Sequence, residues 1–394
     1  MKKLNICYLT QQYGDFASGV GTYSTSLINS VAEQGHKVTV ICPKERKREF
    51  AGPVVRLTEV KRKKWDPSHG NWFTLSLQFS LELKKRIKEE KIDIIHFTDA
   101  RECFFWKFLG KNKNIFTIGT MHDDTFVDAS KNIFSYKNLY NDWIKRYFYY
   151  NFVNTIEKVC LKNLDFIISV SCHVQKRLVD IYKIDRRKIS VIYNGISLNF
   201  ENFMNRKENW NKDRFILIIG NNLQRKGIVT LFKAFYLIKE KYSDLRIVIV
   251  GQDINQKYLE DFIDKMGARE RVKFEGRKSN EYVLDKMKKA SIYVMPSMKE
   301  GFGIVFLEAM SCGTPVIGGN VGGTKELIKS GENGFLVNPG DYKDLADKIS
   351  ILFDDDSVRE KFMENGLETV KNYSAEKMID KTLKVYTNIL KSKE

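Results

Sequence analysis

Long hydrophobic runs are missing from this chain of 394 residues. Strings such as Phe215 to Ile219 and Ile247 to Val250 fall far short of the ~20 apolar residues a helix needs to span a bilayer. None of them reads as a transmembrane segment. The start, Met1-Lys2-Lys3 followed by Leu4 to Leu9, imitates a signal peptide, but polar Gln11 and Gln12 cut it short and no small-residue cleavage site follows. It reads as a first strand. Cysteine is sparse: Cys7, Cys42, Cys103, Cys160, Cys172 and Cys312 are scattered with no C-x-x-C pair, a usage that suits reduced thiols in a cytoplasm and not a disulfide framework or zinc site. No His/Cys cluster stands at a metal-ligand spacing, so no metal and no cofactor are expected. Internal repeats, low-complexity tracts and any recognisable nucleic-acid-binding module are also missing, so no nucleic-acid partner is expected despite the charge.

What is present is an ordinary globular composition, 43% apolar and 29% charged, with a mean hydropathy of -0.36. The length exceeds one typical core and predicts two domains. Short Ile/Val-rich runs alternate with stretches of helical period, which predicts an α/β class with parallel sheets and crossover helices. Strands are expected at Leu4 to Leu9, Lys37 to Cys42, Ile92 to Phe97, Ile115 to Thr120, Phe166 to Val170 and Lys188 to Ile192. A second set follows at Phe215 to Ile219, Leu245 to Val250, Val272 to Phe274, Ile292 to Met295, Pro315 to Gly318 and Gly334 to Val337. The turn Asn194-Gly195 and the polar stretch Glu201 to Asp213 mark the break. The expected organisation is 1–200, 201–374 and a C-terminal helix in 375–394, whose stripe Met378, Ile379, Leu383, Tyr386, Ile389 and Leu390 needs a surface to cover. Two doubly wound domains facing each other imply a cleft, with ligands outside the carboxyl ends of the strands.

The net charge of +17 is uneven: residues 1–200 hold 33 Lys and Arg against 20 Asp and Glu, a balance of +13, leaving 33 against 29, or +4, for the rest. A basic first half suits a polyanionic partner such as an anionic membrane surface or a phosphorylated acceptor, or is simply a solubilising surface. Phe104-Phe105-Trp106 and the segment Phe126 to Val153, with Tyr140, Trp143, Tyr147, Phe148, Tyr149, Tyr150 and Phe152, add aromatics to that half. On a helix Trp143, Tyr147 and Tyr150 share one face beside Lys145 and Arg146. This pattern fits an interfacial contact with anionic lipid, and equally core packing or a subunit interface.

Three constellations can carry chemistry. Ser18-Gly19-Val20-Gly21-Thr22-Tyr23 follows the first strand and opens a helix expected over Tyr23 to Gln34; its glycines let backbone N–H groups approach an anion, although such turns also occur where nothing binds. Gly220-Asn221-Asn222-Leu223-Gln224-Arg225-Lys226-Gly227 follows another strand, and Arg225 and Lys226 there can neutralise a diphosphate or form a solvated basic turn. In Pro296 to Val316 a strand ends in Glu300-Gly301-Phe302-Gly303, and a helix then carries Glu308 among Val305, Phe306, Leu307, Ala309 and Met310. A carboxylate so placed is partly buried and needs partners, which sugar hydroxyls supply, and the glycine-rich helix start offers N–H groups to phosphate. A structural cap or ion pair is the alternative for Glu308.

Glu300 to Glu308, with the trailing Ala-Met-Ser-Cys-Gly-Thr-Pro-Val, resembles the E-x7-E signature of the retaining glycosyltransferases of family 4, the glycosyltransferase group 1 proteins of GT-B fold. The resemblance runs along nearly the whole chain: Ser18 to Tyr23, Met121-His122-Asp123, Asp165 to Ser171, Val191 to Ile196, Lys226-Gly227, Gly322 to Glu326 and Gly334 to Asp341 each match a family segment in order. It implies two Rossmann-like domains across a cleft, with the C-terminal helix crossing back to the first. The acceptor is then bound by residues 1–200 and a UDP- or GDP-sugar mainly by residues 201–374. By the same resemblance Glu308 accepts from the ribose hydroxyls, Glu300 contacts the transferred sugar, and Lys226 holds the diphosphate. Backbone N–H groups of Gly19, Gly301, Phe302, Gly303, Ile304 and Val305 help, and His122 lies beside the donor sugar. One departure stands out: the family usually carries Arg where this chain has Asn221, which supplies no charge. Arg225 is the neighbouring candidate for that cation.

The implied reaction is a metal-independent retaining transfer to a hydroxyl of a cell-envelope glycan, a lipid-linked intermediate or another acceptor, with catalysis resting on stabilisation of the departing diphosphate. His122 is chemically suited to general-base work and also to positioning a sugar hydroxyl. A non-catalytic sugar-nucleotide sensor or partner subunit and a sugar-nucleotide epimerase of similar fold are the competing readings. A cytoplasmic enzyme, peripheral at the inner face of the membrane, is expected.

Overall fold

The structure is a computed structural model describing residues 3–14, 18–44, 55–61, 72–108, 114–123, 143–197, 214–253 and 256–392. The polar stretch Glu201 to Asp213, Asp124, residues 126–142 and the side chains of Trp143 to Asn151 lie outside that description.

Runs of Ile, Val, Leu and Phe with little polar alternation are sequences for strands covered on both faces, and parallel sheets provide that burial. Among the described residues they form two wholly parallel sheets. In the first, β1 (Asn5–Leu9), β2 (Lys37–Pro43), β3 (Arg56–Val60), β4 (Ile94–Phe97), β5 (Phe116–Met121), β6 (Phe166–Ser169) and β7 (Ile189–Val191) lie in the order β3-β2-β1-β4-β5-β6-β7. Ile6 is the register point, opposite Val38 on one side and Ile94 on the other. In the second, β8 (Phe215–Ile219), β9 (Arg246–Val250), β10 (Val272–Gly276), β11 (Ile292–Met295), β12 (Val316–Gly319) and β13 (Phe335–Val337) lie in the order β10-β9-β8-β11-β12-β13. All twelve expected strands are present, with ends shifted by up to two residues. The strand without a sequence signal is β3, whose Arg-Leu-Thr-Glu-Val alternates in the manner of a half-exposed edge and not of a buried run.

The chain divides into two compact units. Unit 1 comprises residues 1–14, 24–193 and 379–394, and unit 2 comprises 15–23 and 194–378. In unit 1, α2 (Trp72–Glu89) and α3 (Trp143–Asn163) flank the sheet with α4 (Cys172–Asp180). The helix α1 (Gly19–Glu33) begins four residues earlier than its periodicity indicates. Gly19 and Gly21 hid its first turn, and the Ser18 hydroxyl accepts the Gly21 N–H at 3.0 Å as a cap. The last helix, α12 (Ala375–Lys391), buries Met378, Ile379, Leu383, Tyr386 and Ile389 as its stripe requires. Within unit 1 the Tyr386 hydroxyl meets the Tyr8 hydroxyl at 3.1 Å and the Nδ1 of buried His96, whose Nε2 meets the Thr120 hydroxyl at 2.8 Å. These bonds satisfy four polar groups in an apolar layer, where leaving any one unmade costs about 1–3 kcal/mol.

In unit 2, α5 (Ile228–Ile238), α6 (Gln256–Lys265), α7 (Asn280–Lys289), α8 (Ile304–Ser311), α9 (Thr324–Leu327), α10 (Tyr342–Asp354) and α11 (Asp356–Lys371) surround the sheet. One core joins Ile216, Ile218, Phe232, Phe235, Ile247, Ile249, Val294, Ile317 and Leu345. Each sheet reverses its strand order once, between β1 and β4 and between β8 and β11. Loops at the carboxyl ends of those strand pairs are where an open α/β sheet collects ligands.

Candidate active site

In unit 2 that position is filled by the loop after β8, residues 220–227, and the loop after β11, residues 296–303. Backbone contacts join the two. Met298 donates its N–H to the Arg225 carbonyl at 2.9 Å, and the Arg225 guanidinium donates from Nη1 to the Lys299 carbonyl at 2.9 Å. Gly227 has φ 83° and lies against Pro296 so closely that a side chain has no room.

The consequence is a short ion pair. Lys226 Nζ stands 2.6 Å from Glu300 Oε2, with side chains only 11% and 14% exposed. Burial works to raise the Glu300 carboxyl, but the charges of Lys226 and Arg225 and the Lys226 hydrogen bond outweigh it and hold it below the ordinary carboxylate range. The Arg225 guanidinium is therefore near enough to act on Glu300. Glu300 itself is fixed through its backbone, because its carbonyl accepts the Gly323 N–H at 3.0 Å.

Helix α8 begins immediately beyond. Its N-cap, Gly303, has φ 96° and supplies no side-chain cap, which leaves the first-turn N–H groups of Ile304 and Val305 to another acceptor. Gly19, grouped with unit 2, lies beside this start; a Cβ there would come within 3.0 Å of Ile304 Cγ2. Phe302 is buried against Tyr373, so only its backbone is offered to a ligand. Farther along α8, burial raises Glu308 to about 7, and no described residue gives its carboxylate a hydrogen bond or ion pair.

The structure thus brings together Gly19, Arg225, Lys226, Glu300, Gly301 to Val305 and Glu308. Asn221 stands on the same loop but is exposed, and its Oδ1 accepts the Gln252 N–H at 3.3 Å. Ser297, at the carboxyl end of β11, keeps a fully buried hydroxyl with no hydrogen-bond partner. It was overlooked because serine after a strand is an ordinary turn residue.

His122 lies in unit 1, at the end of β5. Its Nε2–H donates to the Thr98 carbonyl at 2.9 Å, which fixes that tautomer, and burial takes its pKa down to about 4 despite the opposing pull of Asp99. Sequence reasoning missed the groups around it on the turn after β4. There Asp99 pairs with Arg101, and buried Glu102 accepts the N–H of Gln11 at 2.8 Å and of Asp99 at 3.2 Å. The local Asp99-x-x-Glu102 spacing of a capping box was the available signal.

The sequence contains one Asp-x-Asp, Asp354-Asp355-Asp356. Its outer carboxylates pair with Lys241 and Arg359, and the central one caps α11. Among the described residues no His/Cys/Asp/Glu group is arranged to hold a metal ion, and no helix is long and apolar enough to cross a membrane.

Two parallel doubly wound sheets are the architecture of the GT-B fold, the fold of nucleotide-sugar-dependent glycosyltransferases. Residues 199–369 match the family described as glycosyl transferases group 1, and residues 17–200 match glycosyltransferase family 4. An uncharacterized glycosyltransferase of Methanocaldococcus jannaschii is 32% identical over 308 residues, 78% of each chain. The capsular polysaccharide biosynthesis glycosyltransferase CapM of Staphylococcus aureus is 28% identical over 273 residues, 66% of this chain and 71% of that one. Among solved structures, sucrose-phosphate synthase from Thermosynechococcus elongatus superposes with a TM-score of 0.81 at 22% identity, covering 99% of this chain and all of that one. The chain belongs to the glycosyltransferase group 1 family.

Proposed function

We propose that this enzyme moves a sugar from a UDP- or GDP-sugar to a hydroxyl of a cell-envelope glycan or lipid-linked acceptor, with retention at the anomeric carbon and without a metal ion. The observation that carries the reading is the contrast around α8: one carboxylate already holds a lysine, while the other, Glu308, is partly buried and has no described partner. Paired ribose hydroxyls are the group that satisfies such a carboxylate. Lys226, Arg225 and the Ile304 and Val305 N–H groups take the diphosphate, Glu300 takes the transferred sugar, and His122 positions a sugar hydroxyl.

In the reaction the bond from the anomeric carbon to the diphosphate oxygen breaks and the bond to the acceptor oxygen forms on the same face. The departing diphosphate oxygen, the nearest base on that face, receives the acceptor proton. What lowers the barrier is fixed positive charge at the oxygen that becomes negative. The envelope acceptor is supported by the likeness to a capsular polysaccharide glycosyltransferase. The acceptor is assigned to the first unit and the donor to the second, in a cytoplasmic enzyme peripheral at the inner face of the membrane.

A panel of UDP-, GDP- and ADP-sugars read by thermal stabilisation and by release of free nucleoside diphosphate tests the proposal, since a ligand of the native state raises its melting temperature. UDP- or GDP-sugars should stabilise the protein and be turned over. Binding with neither hydrolysis nor transfer favours the second reading, a sugar-nucleotide sensor, which the uncharged Asn221 supports.

A further inference from the structure

We propose that Glu300 is a built-in competitor of the donor's diphosphate: it pairs with Lys226, yields it when a phosphate arrives, and recovers partners only if the ligand carries a sugar. The inference rests on the assignment of Lys226 to the diphosphate and of Glu300 to the transferred sugar.

The geometry makes the competition unavoidable. At 2.6 Å the Lys226 ammonium is in full hydrogen-bond contact with the Glu300 carboxylate, and both side chains are largely withdrawn from water. A phosphate oxygen that takes the same ammonium enters beside a carboxylate of its own sign. At that range the repulsion is weakly screened. The backbone that carries Lys226 is held, because Gly227 packs against Pro296. So is the Glu300 backbone, whose carbonyl the Gly323 N–H holds. What yields is then a side chain, and that movement is assigned to Glu300.

Charge makes the effect large in this chain. The cations that act on Glu300 are Lys226 and Arg225, while Asn221 contributes no charge. Glu300 therefore offsets one of the two charges that these residues offer a diphosphate. A free nucleoside diphosphate meets that cost in full. A nucleotide sugar offsets it, because its hydroxyls give the displaced carboxylate new hydrogen bonds. The pair thus favours the donor over the product that must leave after transfer.

Calorimetric titration of UDP and GDP, and of UMP and GMP, into the full-length wild-type protein, Glu300→Gln, Lys226→Ala and the double variant tests this. Glutamine keeps the shape of glutamate, and the melting temperature of each ligand-free variant reports its folding. For the cognate base, Glu300→Gln should bind the diphosphate about 3- to 10-fold more tightly than wild type, the scale of freeing one ammonium from a carboxylate that competes for it. The gain should be much smaller for the monophosphate and should vanish when Lys226 is alanine. Unchanged or weaker diphosphate binding by Glu300→Gln overturns the proposal, as does an equal gain for the monophosphate or persistence of the gain without Lys226. Wild-type affinity in Lys226→Ala removes Lys226 from the diphosphate, a failure of the underlying assignment that the same titrations separate from failure of the competition.

Discussion

A Cβ placed on Gly227 would stand 2.1 Å from the carbonyl oxygen of Pro296, so the loop carrying Lys226 and the loop carrying Glu300 meet at a point with no room for a side chain. The φ of 83° at Gly227 also belongs to a region other residues enter at a cost. Gly227→Ala should lose about 2–4 kcal/mol of stability from strain and clash together, seen as a lower melting temperature. More tellingly, it should lose the thermal stabilisation given by a nucleotide sugar, because separating the loops separates Lys226 from Glu300. Full ligand stabilisation in this variant would show that the two loops need not touch for donor binding.

Glu308 makes a prediction with a defined sign. Its folded pKa, about 7, lies above the usual carboxyl value because of burial. The native state therefore holds a proton that the unfolded chain has lost, and this contribution to stability is present at low pH and disappears as pH rises through 7. Glu308→Gln should raise the melting temperature of the ligand-free protein at pH 8 relative to pH 5.5. Hydroxyls that donate to the carboxylate pull it toward ionisation, so wild-type affinity for the nucleoside diphosphate should rise from pH 6 to pH 8. That rise should be missing in Glu308→Gln, which should bind at least 10-fold more weakly at pH 8. A variant that binds as wild type does at both pH values would take the ribose away from Glu308.

Much of this was legible because local sequence and fold agree. A β-branched run such as Phe-Ile-Leu-Ile-Ile at β8, five residues long and followed by Gly220, is too short for a helix and reads as a covered strand. The order of Lys226, Glu300 and Glu308 along the chain pointed to the loops after β8 and β11, which the structure joins through the Lys226–Glu300 pair. What escaped was set by contacts distant in sequence. Nothing in Lys226 or Glu300 shows that they bond to each other across 74 positions. Likewise, His96 and Tyr386 meet across 290 positions. Strand β3 escaped because an edge strand alternates, and the first turn of α1 because glycine carries no helical signal.

For His122 the role we propose is positioning and not proton transfer. Burial holds its pKa near 4, and its Nε2–H is committed to the Thr98 carbonyl. A base that weak has little driving force at neutral pH. The pH dependence of kcat/KM should show no histidine inflection between pH 5.5 and 8, while His122→Ala should lower kcat about 10-fold or more through lost orientation of the sugar. The depressed pKa also has a stability consequence. The unfolded chain takes up the histidine proton first, so stability falls as pH drops from about 6.5 toward 4. An inflection near 6.5 that His122→Asn abolishes would make His122 a general base after all.

The proposed membrane contact can be tested on unit 1 at Phe108, which is 63% exposed and packs edge-on against Phe104 at 5.5 Å, with Phe104 in turn edge-on to Phe105. An exposed aromatic of this kind in the more basic half of the chain suits insertion at an anionic interface. Sedimentation with phosphatidylglycerol vesicles should bring the protein down at low salt and release it at high salt. Phe108→Ser should weaken binding about 10-fold or more on the scale of one buried aromatic. Equal pelleting of wild type and variant would leave charge alone as the cause, and no pelleting would remove the membrane.

The sharpest departure from the family is Asn221, and its surroundings say what an arginine would change. Its Oδ1 accepts the Gln252 N–H at the long distance of 3.3 Å, and the residue is exposed. Losing that bond costs little, because water replaces it. Asn221→Arg should therefore fold normally and add a third cation to a loop that already carries Arg225 and Lys226. With Glu300 still holding Lys226, the added charge should tighten nucleoside diphosphate binding about 3- to 10-fold at low salt, with a steeper loss on raising ionic strength. Turnover should follow a different course. If Arg225 already occupies the place of the missing cation, kcat should change less than twofold, since the leaving group is stabilised without help from position 221. A kcat that rises with affinity would show that the natural enzyme works with one phosphate cation too few. Pairing Asn221→Arg with Arg225→Ala separates the two: recovery by the new arginine of the activity lost with the old one identifies Arg225 as its replacement, and no recovery assigns them to different groups.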